Sequence, residues 1–169
     1  MFYKVSIVMP ALNEEGNIKA AVESTLRALD EANVSGELIV INDGSTDNTG
    51  DIAEELGRKD KRIFVVHHDT PKGIGYSFWD GVSRANNEAV VLYPGDNEML
   101  PAEMLLYLRE LSNVDIVVPF MVNEVVRSPF RRLISGIYTF IIRTLFGLKV
   151  HHSNGAVLYR RSILKDIKL

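Results

Sequence analysis

The chain of 169 residues carries 19 Lys+Arg against 22 Asp+Glu, a formal net charge of −3, with 46% hydrophobic residues and no cysteine. A chain of this length suits one domain that buries its own core, and the missing thiols exclude disulfides, zinc–thiolate centres and cysteine catalysis while fitting a reducing compartment. The mean charge conceals a division: residues 1–124 hold 10 Lys+Arg against 21 Asp+Glu (net −11) and residues 125–169 hold 9 against 1 (net +8), which points to different partners for the two parts.

The start, MFYKVSIVMPALNEE, has a short apolar run that ends at Pro10 and passes into acids. It carries no basic leader, long apolar region or small-residue cleavage site, so no export is expected. Short runs rich in Val and Ile follow in order: KVSIVMP (4–10), ELIVIND (37–43), RIFVVHH (62–68), EAVVLYP (88–94) and VDIVVPF (114–120). Each suits a strand buried on both faces. Between them lie helical patterns. The first, about 14–33, places Ile18, Val22, Leu26 and Leu29 on one face; the second offers Ser45 or Thr46 as N-cap before acids. A third runs over about 74–87, and a fourth, about 101–112, opens at Pro101. This alternation predicts an α/β fold with a parallel, helix-covered sheet.

Ligands of such sheets bind beyond the carboxyl ends of the strands. The residues that follow each run therefore share one predicted rim: Pro10, Ala11, Asn13 and Glu14; Asn42, Asp43, Gly44 and Ser45; His67, His68, Asp69, Lys72 and Gly73; Asp96, Asn97 and Glu98. Asp96 and Glu98 can hold Mg²⁺ or Mn²⁺, which take oxygen ligands and complete their shell from phosphate and water. Asp43 and Glu14 are placed to accept hydrogen bonds from a base N–H and from ribose hydroxyls. Singly, each of these residues also reads as an ordinary turn or solvated loop residue; their gathering on one rim favours a site.

PKGIGYSFWDG (71–81) is an incomplete dinucleotide fingerprint, follows the third strand rather than the first, and lacks the Lys-Ser/Thr of a P-loop. Lys72 remains as a cation near a phosphate, with Gly73 and Gly75 as permissive backbone before a helix N-terminus. His67, His68, His151 and His152 form two adjacent pairs, and neighbours on a strand face opposite ways, which argues against a four-His metal site.

Beyond residue 120 the alternation stops. RSPFRRLISGIYTFIIRTLFGLKVHH reads as a helix over about 129–147, with Ile134, Tyr138, Ile141, Leu145 and Leu148 on one side and Arg132, Ser135, Gly136, Thr139 and Arg143 on the other. Its apolar stretches fall short of the roughly twenty residues that span a bilayer. A basic amphipathic helix suits an anionic membrane surface; a core helix with exposed arginines is the competing reading. Exposed apolar faces make a homodimer an expected alternative, and nucleic acid is not an expected partner, because the basic segment is interleaved with Ile, Leu and Phe.

The blocks VSIVMPALNEEGNI, LIVINDGSTDNT, HDTPKGIGYSFWDGV, AVVLYPGDNEMLP and NGAVLYRRSIL, in that order, resemble glycosyltransferase family 2, and within it the dolichyl- or polyprenyl-phosphate sugar synthases. The likeness covers nearly the whole chain. P-x-x-N-E followed by D-G-S-T-D is its specific part. The resemblance implies a GT-A fold, a Rossmann-like, mostly parallel sheet with helices on both faces, in which residues 1–124 form the nucleotide-sugar-binding core. Residues 125–169 would be a basic amphipathic, acceptor- and membrane-proximal segment of the same domain.

By position, the resemblance puts Pro10, Ala11, Asn13 and Glu14 in the base and ribose pocket with Asp43, Gly44 and Ser45, and Lys72 and Gly73 in the loop beside the nucleotide. Asp96 takes the second acid of the family's Asp-X-Asp motif. Pro94 stands where the first acid is expected, and Glu98 where these synthases carry Gln, so catalysis and metal binding are expected to rest on Asp96 and Glu98. Arg127, Arg131 and Arg132 are the candidates for the acceptor phosphate. The implied activity is inverting transfer of a sugar from a nucleoside diphosphate sugar to a polyprenyl phosphate, in a cytoplasmic protein peripheral to the membrane. Family members continue past LYRRSILKDIKL, so donor binding is a firmer expectation than turnover. The alternatives are a growing glycan or small hydroxyl compound as acceptor, or a nucleotide-binding membrane-surface module without catalysis. Uridine and guanosine both remain open as the base.

Overall fold

The computed structural model describes residues 4–118, 134, 136–137, 141, 144–145, 156–164 and 167. Its sheet is built on two strands with no solvent face: β1 (Val5–Ala11) is buried at every position and β2 (Gly36–Asn42) at all but its first. Both faces being covered, these strands read as continuous apolar runs rather than alternating ones. β3 (Ile63–His67) pairs with β2 and β4 (Ala89–Leu92) with β1, all parallel, in the spatial order β3-β2-β1-β4. β5 (Ile116–Val117) and β6 (Leu158–Arg160) complete the sheet in the order β4-β6-β5, and both of their pairings are antiparallel.

The helices lie on both faces, as successive β1 residues dictate. Val5, Ile7, Met9 and Ala11 join a cluster with Ile18, Val22 and Leu29 of α1 (Ile18–Glu31) and Ala53 and Leu56 of α2 (Thr49–Lys59). Met104 and Leu105 of α4 (Pro101–Leu105) belong to the same cluster. Val8, one step out of phase, joins Ile39, Ile41 and Val82 of α3 (Ile74–Arg84), with Leu164 of α5 (Arg161–Leu164). Each such side chain larger than alanine contributes about 1.5–3 kcal/mol on burial, so the strand period sorts the helices into two layers. At the amino end of the sheet the buried Glu37 accepts hydrogen bonds from Ser6 Oγ (2.5 Å), Asn86 N (2.7 Å) and Asn86 Nδ2 (3.1 Å). These donors compensate the loss of water around the charge and pin the turn between α3 and β4.

Several boundaries differ from the sequence expectation. α1 starts at Ile18 because Asn13 adopts a left-handed φ of 56° and the Glu14 carbonyl closes a turn by accepting from Asn17 N and Ile18 N. The N-cap position of α2 is Asn48, not Ser45 or Thr46. Asp47 Oδ1 serves its first turn, accepting from Thr49 N (3.0 Å) and Thr49 Oγ1 (2.5 Å). The fourth helix breaks after Leu105 and resumes as a 3₁₀ turn over Leu108–Ser112.

The described residues form two compact units, one of 1–117 with 156–169 and one of 118–155. The basic segment 125–169 thus contributes to both. In the second unit residues 134, 136–137, 141 and 144–145 are helical, and Ile134, Ile137, Ile141 and Leu145 are exposed. The other residues of the expected helix over 129–147 lie outside the described residues. Among the described residues no helix is long and apolar enough to cross a membrane.

Candidate functional site

β1 ends between β2 and β4, and its last two carbonyls serve opposite neighbours. Ala11 O accepts from Asp43 N at 2.9 Å, and Pro10 O accepts from Gly95 N, also at 2.9 Å. Pro10 and Ala11, expected in the pocket wall, are thus the posts from which the Asp43 and Asp96 corners hang. The carboxyl edge of the parallel strands gathers both corners, as the rim expectation required.

The first two motif loops are zipped together. Asn13 N donates to Ser45 Oγ (3.0 Å), and Asn13 Oδ1 accepts from Thr46 N (2.8 Å). Glu14 N donates to Thr49 Oγ1 (2.7 Å), while the Glu14 carboxylate accepts from Asn17 Nδ2 (2.8 Å) on its own loop. Glu15 continues the seam: its amide donates to Asp47 Oδ2 (3.1 Å) and its carboxylate accepts from Asn48 N (3.1 Å). Gly44 has φ +72°, and a Cβ there would come within 2.6 Å of the Thr70 and Pro71 backbone. The third loop therefore crosses directly over it, and only glycine leaves the room.

That crossing brings Lys72 and Gly73 onto Asp43. Lys72 N donates to Oδ1 (3.0 Å) and Gly73 N, from a residue at φ +90°, to Oδ2 (2.8 Å). His68 Nδ1 lies 2.6 Å from the same Oδ1, with side-chain exposures of 4% and 5% for His68 and Asp43. The other ring nitrogen, Nε2, is 3.2 Å from Asp80 Oδ2 on α3, and Arg84 Nε donates to Asp80 Oδ1 (3.1 Å). Burial pushes the Asp43 carboxyl up, but the hydrogen bonds from His68, Lys72 N and Gly73 N outweigh it, and the acid sits below its ordinary value. Asp80 is lowered by the same balance, burial opposed by the bonds of His68 and Arg84. Both acids are anionic at neutral pH. The Lys72 ammonium stands over the Tyr76 ring, 4.5 Å from its centroid, and that ring meets His68 edge-on.

On the other side of β1, Asp96 is partly exposed and accepts from Glu98 N (3.1 Å), with Asn97 between them at φ +58°. Glu98 is exposed. The corner is braced from below: the Tyr93 hydroxyl donates to Met99 O. Burial, with the charge of Asp96 second, pushes the Tyr93 phenol up to about 12. Among the described residues no three His, Asp or Glu side chains cluster to hold an ion. Asp96 and Glu98 still fit a divalent cation in the open mode, one or two carboxylates completed by phosphate oxygens and water. Arg127, Arg131 and Arg132 lie outside the described residues.

Two site residues escaped the sequence reading in their actual role. The sequence places His68 on the rim and argues against it as a metal ligand without giving it a partner, and Asp80 lies inside a helical pattern that gives it no role. The signal for His68 was present: β2 and β3 pair Asn42 with His67, so the next residues, Asp43 and His68, leave the sheet side by side. His67 itself faces the other way, toward Asn42 Nδ2 (3.0 Å) and Glu54 Oε1 (3.1 Å).

Known proteins resemble this chain in sequence and in fold. Dodecaprenyl-phosphate galacturonate synthase of Rhizobium johnstonii is 27% identical over 170 residues, covering 98% of this chain and 50% of that protein. Polyprenol monophosphomannose synthase of Mycolicibacterium smegmatis is 28% identical over 173 residues, covering 96% and 64%. The chain thus spans about half to two thirds of the length of these relatives. Among solved structures, glucosyl-3-phosphoglycerate synthase of Mycobacterium tuberculosis, in complex with Mn²⁺, UDP-glucose and phosphoglyceric acid, superposes with a TM-score of 0.73 at 23% identity, covering 98% of this chain and 59% of that one. That likeness shows the fold to be of the GT-A type. The sequence profile of glycosyl transferase family 2 matches residues 6–168, from β1 to past α5, and the chain belongs to that family.

Proposed function

We propose that this chain binds a nucleoside diphosphate sugar at the carboxyl edge of its sheet and transfers the sugar, with inversion, to a polyprenyl phosphate at a membrane surface. The observation that carries the reading is the pair of acidic corners, Asp43 and Asp96, hung from consecutive carbonyls of one strand. Asp43 is the acceptor for a base N–H, in the loop pair fixed by Asn13 and Ser45, and Asp96 with Glu98 faces the diphosphate. The polyprenyl-phosphate synthases among the relatives support the acceptor class.

A divalent cation, present in the neighbouring Mn²⁺ complex, would be held by Asp96 and Glu98, where it supplies neutralisation of the diphosphate's charge. The remaining work is alignment. A lipid phosphate is already anionic near neutral pH and attacks the anomeric carbon without a strong base, so the site needs positioning and relief of leaving-group charge more than proton transfer. Arg127, Arg131 and Arg132 are the proposed acceptor-phosphate contacts, and the basic segment around them the proposed contact with anionic lipid.

The test is transfer of labelled sugar from UDP- and GDP-sugars to a polyprenyl phosphate in vesicles, with Mn²⁺, for the wild type and Asp96→Asn. Transfer by the wild type and its collapse in the variant is the expected result. Equal transfer by both would remove the metal role from Asp96. Nucleotide binding without transfer to lipid phosphate, hydroxyl or glycan acceptors would leave a non-catalytic module.

A further inference from the structure

The number of donors already on Asp43 limits what else it can accept. An ionised carboxylate offers about four lone-pair positions on two oxygens and donates nothing. Oδ1 takes Lys72 N and faces His68 Nδ1; Oδ2 takes Gly73 N. The Asp43 carboxylate, held below its ordinary value, can only accept, so the 2.6 Å contact with His68 Nδ1 is a donation from the ring to Asp43. Among the described residues three positions are filled and one, on Oδ2, stays open.

From this occupancy we infer that the donor nucleotide is a uridine rather than a guanosine diphosphate, and that His68 is the positioning residue that enforces the choice by occupying Asp43 Oδ1. Uracil presents a single ring N–H, which the open position satisfies. Guanine presents its ring N–H and its amino group as an adjacent pair, matched to both oxygens of a free carboxylate, as a guanidinium fork is. Here the second guanine donor meets an oxygen already saturated and is left buried without a partner. A site whose hydrogen-bonding groups do not match those of the ligand discriminates strongly. The backbone amides of Lys72 and Gly73 cannot be exchanged by substitution, because the chain itself carries them across Gly44. His68 is therefore the replaceable member of the set.

This inference rests on the donor-site reading above, and one set of titrations separates the two. Calorimetry of UDP, GDP and 3-methyl-UDP, in which the ring N–H is blocked, is run on the whole chain with Mn²⁺, for the wild type, His68→Phe and His68→Asn. UDP is expected to bind at least about tenfold tighter than GDP and than 3-methyl-UDP, the loss of one hydrogen bond to a charged group. In His68→Phe the UDP-to-GDP ratio falls toward one, while His68→Asn, whose amide still offers an N–H to Oδ1, keeps it. GDP binding as well as UDP, 3-methyl-UDP binding as well as UDP, or a folded His68→Phe with the wild-type ratio would each overturn the inference and leave the nucleotide site standing. Binding of none of the three would overturn the donor-site reading itself. Should His68→Phe fail to fold, the wild-type ratios to GDP and 3-methyl-UDP decide the matter alone.

Discussion

Asn13 Oδ1 accepts the backbone N–H of Thr46 at 2.8 Å, across 33 positions of sequence. The bond closes one motif loop on the other, and it depends on Asn13 holding φ 56°, a conformation that asparagine tolerates better than other residues with a Cβ.

Asn13→Ala should therefore lose both the bond and the tolerated backbone, destabilising the chain by about 1–2 kcal/mol. Asn13→Gly should lose less, because glycine accepts the left-handed backbone. Urea midpoints of the three proteins check this; an alanine variant as stable as the wild type would show that the loop seam contributes nothing.

Asp43 supplies a dependence on acid. Its folded pKa lies below the ordinary 3.8, so its contribution is fully present above that value and is lost as pH falls through the lowered one. Asp43→Asn should cost about 1–3 kcal/mol near neutral pH, and the gap from wild type should narrow on going from about pH 6 to about pH 3. A gap that stays constant between those pH values would contradict the lowered acid.

Tyr93 makes the opposite case. Its phenol is raised to about 12, so its contribution is present below the ordinary value of 10.0 and lost as pH rises through about 12. Tyr93→Phe, which removes the bond to the Met99 carbonyl, should cost about 1 kcal/mol and abolish a phenolate that titrates at about 12 in an absorbance titration. Asp96→Asn should shift that phenolate to lower pH, because the second cause of the shift is the Asp96 charge. An unmoved titration in Asp96→Asn would separate the two residues.

Gly81 on α3 faces Val8 of β1 so closely that a methyl group there would overlap both Val8 Cγ atoms. Alanine is the better helix former by about 1 kcal/mol, yet Gly81→Ala should be destabilising by about 1–3 kcal/mol through overpacking. Val8→Ala in the same chain should recover part of the loss, a non-additivity that denaturation of the two single variants and the double variant would reveal. Simple additivity would mean that the helix shifts away from the strand without strain.

β1, β2 and β4 were legible because burial on both faces leaves an uninterrupted Val and Ile signal, and β3 shows the same apolar run although Phe64 and His67 are exposed. β6 was not: Leu158–Arg160 is short and half polar, and it gains its place by pairing antiparallel with β4. The rim was likewise legible as a set of residues, since strand ends name their own followers. What each rim residue does was less so. Asn13 and Ser45 look alike as pocket residues in a linear reading, but their side chains are spent on each other's loops, and only the β2–β3 register shows that His68 stands beside Asp43. The metal corner has the same form in sequence and fold, two carboxylates with Pro94 in place of a third, and a phosphate is needed to complete its shell.

β5 and β6 are antiparallel neighbours, with Val117 opposite Leu158. The pairing therefore holds the two ends of the interval 118–157 side by side. Closing a longer stretch between those two ends costs only about 0.6 kcal/mol per doubling of its length, so the β5–β6 pairing tolerates insertions there at small entropic cost. The antiparallel edge thus fixes its own register through Val117 and Leu158, whatever number of residues separates them.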